Sequence, residues 1–161
     1  MNVDTVKKYL PLIIIFTIII VATAIASKSY GDATMHQAMT RFMGFFFVVF
    51  ATFKIINLSN FAQAYAEYDL IAQRNRIYAF TYPFIELSLG ILYLSRSFPM
   101  VTNLITFALM SFNAIGVAIA LSKEKTVVCA CLGTVFNIPM TYVTLFEDLL
   151  MAGMALIMLF Y

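Results

Sequence analysis

Five long apolar runs separated by short polar stretches dominate the pattern of this chain. They cover about Tyr9–Ala26, Phe42–Leu58, Ile77–Leu94, Val101–Leu121 and Leu145–Tyr161. Each run is apolar on all sides of a helix, and each approaches the ~20 residues that a helix needs to cross a bilayer. In lipid, a backbone must satisfy its own hydrogen bonds, which a helix does and a lone strand does not. The pattern predicts an all-α fold: a polytopic membrane bundle of five transmembrane helices, filling 1–161 as a single membrane domain.

The connections carry weaker patterns. In Ser59–Arg76, Phe61, Tyr65, Tyr68 and Ala72 recur at helical spacing, while Glu67, Gln73, Arg74 and Arg76 face elsewhere. This predicts an amphipathic helix over about 60–74 lying on the membrane surface, with Asn60 and Gln63 capping its start. Thr144 followed by Glu147 reads as a capping box at the start of the last helix. Asp148 then adds a carboxylate near the positive end of that helix dipole. Both acids thereby acquire a structural role. Ser111, Ala114, Ala118 and Ser122 form a stripe of small residues on the fourth membrane helix, a packing face for a neighbour.

Composition agrees with the pattern. Hydrophobic residues make up 63% of the chain and charged residues 11%, against about 25% charged in soluble domains. The net charge of +2 has no basic cluster behind it, so nucleic acid is excluded as a partner and the lipid bilayer is the expected surrounding. Lys7 and Lys8, an apolar run and Ala24-Ile25-Ala26 also fit a secretory leader. The run of 18 residues, however, exceeds a leader core of about 7–15, so the segment is read as a retained membrane helix. Lys7, Lys8, Arg74, Arg76, Lys123 and Lys125 fall on the N-terminal side, and Lys28, Arg41 and Arg96 on the other. This asymmetry predicts a multi-pass protein of the cell (inner) membrane with a cytoplasmic N-terminus.

Charges inside the runs carry candidate chemistry. Glu86 lies near the middle of the third run, three residues after Pro83, whose ring can free backbone carbonyls there. An ionisable group at that depth marks a functional site by default. Lys54 is the other intramembrane charge. Its stem can snorkel to the surface, or its ammonium can pair with Glu86 if the two share a depth. Met35, Met39 and Met43 recur beside His36, and Met151, Met154 and Met158 recur on the last helix. Thioethers and imidazole suit Cu(I), but methionine is also a common apolar filler. The last row is read as packing; the row with His36 is read first as packing, with soft-metal contact as the alternative.

The stretch VVCACLG holds both cysteines, Cys129 and Cys131. Positions two apart on a helix are rotated by about 200°, so the thiols converge only off-helix, as Gly133 and Pro139 favour. Two chemistries fit. A thiolate pair ligates Cu(I) or other thiophilic metals, and a strained small-ring disulfide is labile and suited to exchange. A third reading treats both as small buried hydrophobes.

Together, FFFVVFATFKIINLSNFAQAYAEYDLIA, YAFTYPFIELSLGILYL and VVCACLG resemble the MauE/DoxX-like membrane proteins. The resemblance spans about 40–161 and rests mainly on Lys54, Pro83-x-x-Glu86 and Cys129-x-Cys131-x-Gly133. It implies a DoxX-like four-helix core and a redox-associated role beside a thioredoxin-like partner, as in the methylamine-utilisation members. Some members carry a heavy-metal-associated domain with Cys-x-x-Cys, a motif missing from this sequence.

The expected function is a thiol-redox accessory using Cys129 and Cys131. One alternative is a soft heavy-metal protein that binds Cu(I) or Hg(II) through the same thiols and exchanges it with a metal-carrier protein. The other is a structural membrane subunit. The charge count puts the thiols on the cytoplasmic side, whereas disulfide maturation takes place outside. No nucleophile–base pair, phosphate loop or di-metal pattern suggests an enzyme acting on a small molecule.

Overall fold

The computed structural model describes residues 3–29, 31, 34–123, 132 and 142–160. Among these residues the chain is helical without strands: α1 (Val3–Ser29), α2 (Met35–Ile56), α3 (Leu58–Tyr65), α4 (Arg76–Ser95), α5 (Pro99–Ser122) and α6 (Tyr142–Phe160). All but α3 are long and apolar enough to span a membrane.

Local chemistry sets the helix starts and the tight turn between α4 and α5. Thr34 Oγ1 accepts from the Gln37 amide at 3.4 Å, and Asn75 Oδ1 accepts from Ile77 and Tyr78 at 3.0 and 3.4 Å. Each satisfies donors that a helix N-terminus leaves orphaned. α4 stops where Arg96 turns left-handed at φ 54°, with the Ser97 amide returning to the Leu92 carbonyl at 3.1 Å. Phe98 is also left-handed, at φ 48°, and Pro99 then starts α5 at a position that needs no N–H.

Successive spanning helices run antiparallel, so the end of α2 meets the start of α6 and the end of α4 meets the start of α5. α2 packs on α4 and α5 on α6, while α1 packs mainly on α2 among the described residues. Only 17% of the α1 span is buried, which makes it a peripheral helix. It is held by Phe16 against Phe42, Phe46 and Phe50, with ring centroids 6.5, 5.7 and 5.9 Å away.

Glycine brings α2 and α4 together. A β-carbon at Gly90 would lie 2.9 Å from the Val48 backbone nitrogen, and one at Gly44 would lie 2.7 Å from Leu94 Cδ2. Such close approach is how small residues support helix association where lipid offers no hydrophobic drive.

Two expectations change. The helix expected over about 60–74 ends at Tyr65. Asp69 Oδ1 accepts from the Ile71 and Ala72 amides at 2.9 and 2.7 Å, a local bond that competes with helix and turns the chain. The periodic face of Phe61, Tyr65, Tyr68 and Ala72 is buried in the bundle rather than laid on lipid. Its backbone rests on α5, where a β-carbon at Gly116 would come within 3.1 Å of the Tyr68 carbonyl oxygen.

The small-residue stripe on α5 also moves. Ala118 and Ser122 are exposed, and the buried face runs through Thr106, Met110, Asn113, Val117 and Ala120. Ala114 of the stripe is buried on that face, beside Gly116 and Ala120, so small residues line the contact at positions shifted from the expected ones.

Gly90→Ala is expected to lower the unfolding free energy in detergent micelles by about 1–3 kcal/mol through overpacking against Val48. Gly153→Ala meets open space and is expected to be neutral, or stabilising by at most about 1 kcal/mol. Denaturant unfolding of the two variants side by side checks the contrast.

Candidate functional site

Lys54, in the last turn of α2, points into the bundle at the middle of α4. Its Nζ donates to both oxygens of Glu86, at 2.6 Å to Oε1 and 2.5 Å to Oε2. The side chains are 8% and 3% exposed, so Lys54 does not snorkel to the surface. The glycine contacts that draw α2 onto α4 set the shared depth. The ammonium also sits 5.6 and 5.1 Å from the ring centroids of Phe61 and Tyr82, where aromatic faces favour a cation. Taking both charges out of water costs several kcal/mol per ion, and close pairing with further polar contacts offsets that cost.

α6 brings two more acids to the same place. It starts at Tyr142, so Thr144 lies inside the helix and the expected capping box does not form. Instead, Glu147 and Asp148 line one small cavity with Lys54, Glu86 and Asn113, of about 30 Å³. That volume holds about two waters, at ~10–15 Å³ each. Glu147 is buried, and its Oε1 has no hydrogen-bond partner among the described residues; Asp148 is half-buried. Among the described residues, three carboxylates therefore share a cavity with one ammonium. Capping failed as an account because the dipole argument applies only to the first turn, and the helix begins earlier than Thr144.

The wall of the cavity is a hydrogen-bonded relay of neutral groups. Tyr65 Oη donates to Asn113 Oδ1 at 2.8 Å, and Asn113 Nδ2 donates to the Tyr82 hydroxyl oxygen. Burial, then the neighbouring Tyr82 and the Asp69 carboxylate, raise the Tyr65 phenol well above its ordinary range, so it stays protonated as a donor. Tyr82 and Glu86 are one turn apart on α4, which carries the relay to the ion pair. Sequence reasoning missed Tyr65, Tyr82 and Asn113. The available signal was an asparagine inside a long apolar run, a costly residue there unless another helix satisfies it.

The site can hold and pass protons. It joins excess carboxylates, an ammonium, water-sized space and two phenols. Among the described residues, no three His, Cys, Asp or Glu side chains converge to hold a metal. Cys129 and Cys131 lie outside the described residues; Leu132, next in the chain, is buried in the core cluster that includes Met151 and Leu12. The methionine row with His36 lies at the opposite end of the bundle.

A family model described as methylamine utilisation protein MauE matches residues 32–161. The match covers α2 through α6 and leaves α1 outside. No curated protein and no solved structure matches.

Lys54→Met is expected to lower stability by about 3–5 kcal/mol, because it strands buried carboxylates. Glu86→Gln is expected to cost less, since Lys54 still faces Glu147 and Asp148 across the cavity. Unfolding in micelles measures both. Equal losses would show that Lys54 has no second carboxylate partner.

Proposed function

The chain belongs to the MauE family, and on that premise we propose that it is a thiol-redox accessory of the cell membrane. In this reading Cys129 and Cys131 exchange a disulfide with a thioredoxin-like partner, and the Lys54–Glu86 centre manages the protons. The N-terminus is cytoplasmic, as the distribution of Lys and Arg favours.

One observation supports the reading. The buried centre with spare carboxylates lies at the end of the bundle where α5 finishes and α6 begins, and both cysteines belong to the stretch between those helices. Thiol–disulfide exchange proceeds through thiolate. As the Cys129–Cys131 disulfide forms, two electrons reduce the partner disulfide. The two thiol protons pass to the partner's leaving thiolates, with Glu147 and Asp148 as the intermediate acceptors. The Tyr65–Asn113–Tyr82 relay orients this end of the route and keeps it closed to lipid.

A second reading uses the same thiols to hold Cu(I) or Hg(II) for a metal-carrier protein. It would replace exchange with ligation and leave the carboxylates only a structural role. A purely structural subunit needs neither thiol.

Cys131→Ser is expected to trap a mixed disulfide with the partner through Cys129, seen as a reducible band on non-reducing gels and absent from the double Cys→Ser variant. Absence of the adduct under oxidising conditions overturns the redox reading. Glu147→Gln, with both cysteines intact, is expected to slow exchange about 10-fold or more. An unchanged rate would remove Glu147 from the proton route.

A further inference from the structure

We propose that the bundle end opposite the Lys54–Glu86 centre is a binding site for a soft monovalent metal ion, Cu(I) or its analogue Ag(I). The ligands are the thioethers of Met35, Met39 and Met158 and the imidazole of His36.

These residues line one cavity of about 270 Å³ together with Ile157, among the described residues. Four of its five lining side chains thus carry a soft or borderline donor. Met35 and Met39 are one turn apart on α2, which puts their β-carbons about 5–6 Å from each other on one face. Met158 arrives from the other end of the sequence, on α6, and is buried. Asn103 Nδ2 donates to the Met158 carbonyl at 3.3 Å, anchoring the last turns of α6 against α5. Packing explains Met151, fully buried in the core, but it does not explain Met35, which is 78% exposed at the first position of its helix.

The donor set selects the ion. Every proposed ligand is neutral, and no carboxylate lines the cavity among the described residues. Thioether and imidazole together favour Cu(I), whereas hard cations require oxygen ligands. With no anionic ligand to compensate it, a single positive charge is better tolerated than two. The carbonyl end of α6 supplies negative partial charge and opposes the positive start of α2. His36 also lines an adjoining cavity of about 220 Å³, with Gln37, Arg96 and Asn103 among its polar walls. That cavity is a polar route by which an ion reaches the imidazole and sheds its water.

The proposed ligands include neither cysteine, so the test removes both thiols. The Cys129→Ser/Cys131→Ser protein, purified in detergent, is titrated with Ag(I), and with Cu(I) against a competing chelator. One equivalent is expected to bind. The Met39→Leu/Met158→Leu variant keeps core volume nearly constant, and circular dichroism checks that it stays helical. It and His36→Ala are each expected to weaken binding about tenfold or more, while Met154→Leu leaves binding unchanged. Three results would overturn the site: no Ag(I) bound by the thiol-free protein, unchanged affinity in the Met39/Met158 variant, or Zn(II) bound as tightly as Cu(I). None of them bears on whether the cysteines exchange disulfides.

Discussion

An ammonium and a carboxylate locked 2.5–2.6 Å apart inside a lipid-embedded bundle constrain everything packed around them. Neither charge is tolerable alone at that depth, so α2 and α4 must meet at one register. Gly44 and Gly90 make the meeting possible by letting the helices touch where any side chain would separate them. α3 then folds beneath the pair, placing Phe61 beside the ammonium. Asp69 breaks the helix after Tyr65 so that Tyr68 and Ala72 also turn inward. Much of the lower half of the protein serves to keep that pair dry and placed.

The same constraint underlies the proposed function. Glu147 and Asp148 enter the cavity from α6 without a second cation to match them among the described residues. In the proposed role, a centre with more carboxylate than ammonium takes up the protons that thiol oxidation releases. The far end of the bundle holds a cavity lined by thioethers and an imidazole, with no acid among the described residues that line it. Antiparallel alternation of the helices separates the two ends, so the Lys54–Glu86 centre and the cavity of methionines and His36 lie at opposite ends of the bundle.

The spanning helices were legible because lipid imposes a strong rule on each segment taken alone, and a long apolar run satisfies it without reference to any neighbour. The periodic face at Phe61, Tyr65, Tyr68 and Ala72 was legible for the same local reason. Its environment was not, because an amphipathic face reads alike whether it meets lipid or protein. Glu147 was misread because a capping box depends on where the helix starts, and α6 starts before Thr144. The α5 stripe was legible only in part: Ala114 is buried, but Ala118 and Ser122 are exposed, and the buried face also carries Asn113, whose partners lie on α3 and α4. Cys129 and Cys131 remain known from sequence pattern and family resemblance alone.

By itself, the sequence determined the membrane as solvent, the five spans, and Lys54 and Glu86 as the charges that would need an explanation. These follow from transfer free energies that each segment carries alone. Tertiary structure decided that the two charges are partners, that Glu147 and Asp148 join them, and that Met158 faces Met35, Met39 and His36. These decisions depend on depth and on which helix lies beside which. Residues 32 or more than a hundred positions apart meet only when close contacts such as Gly90 on Val48 bring their helices together.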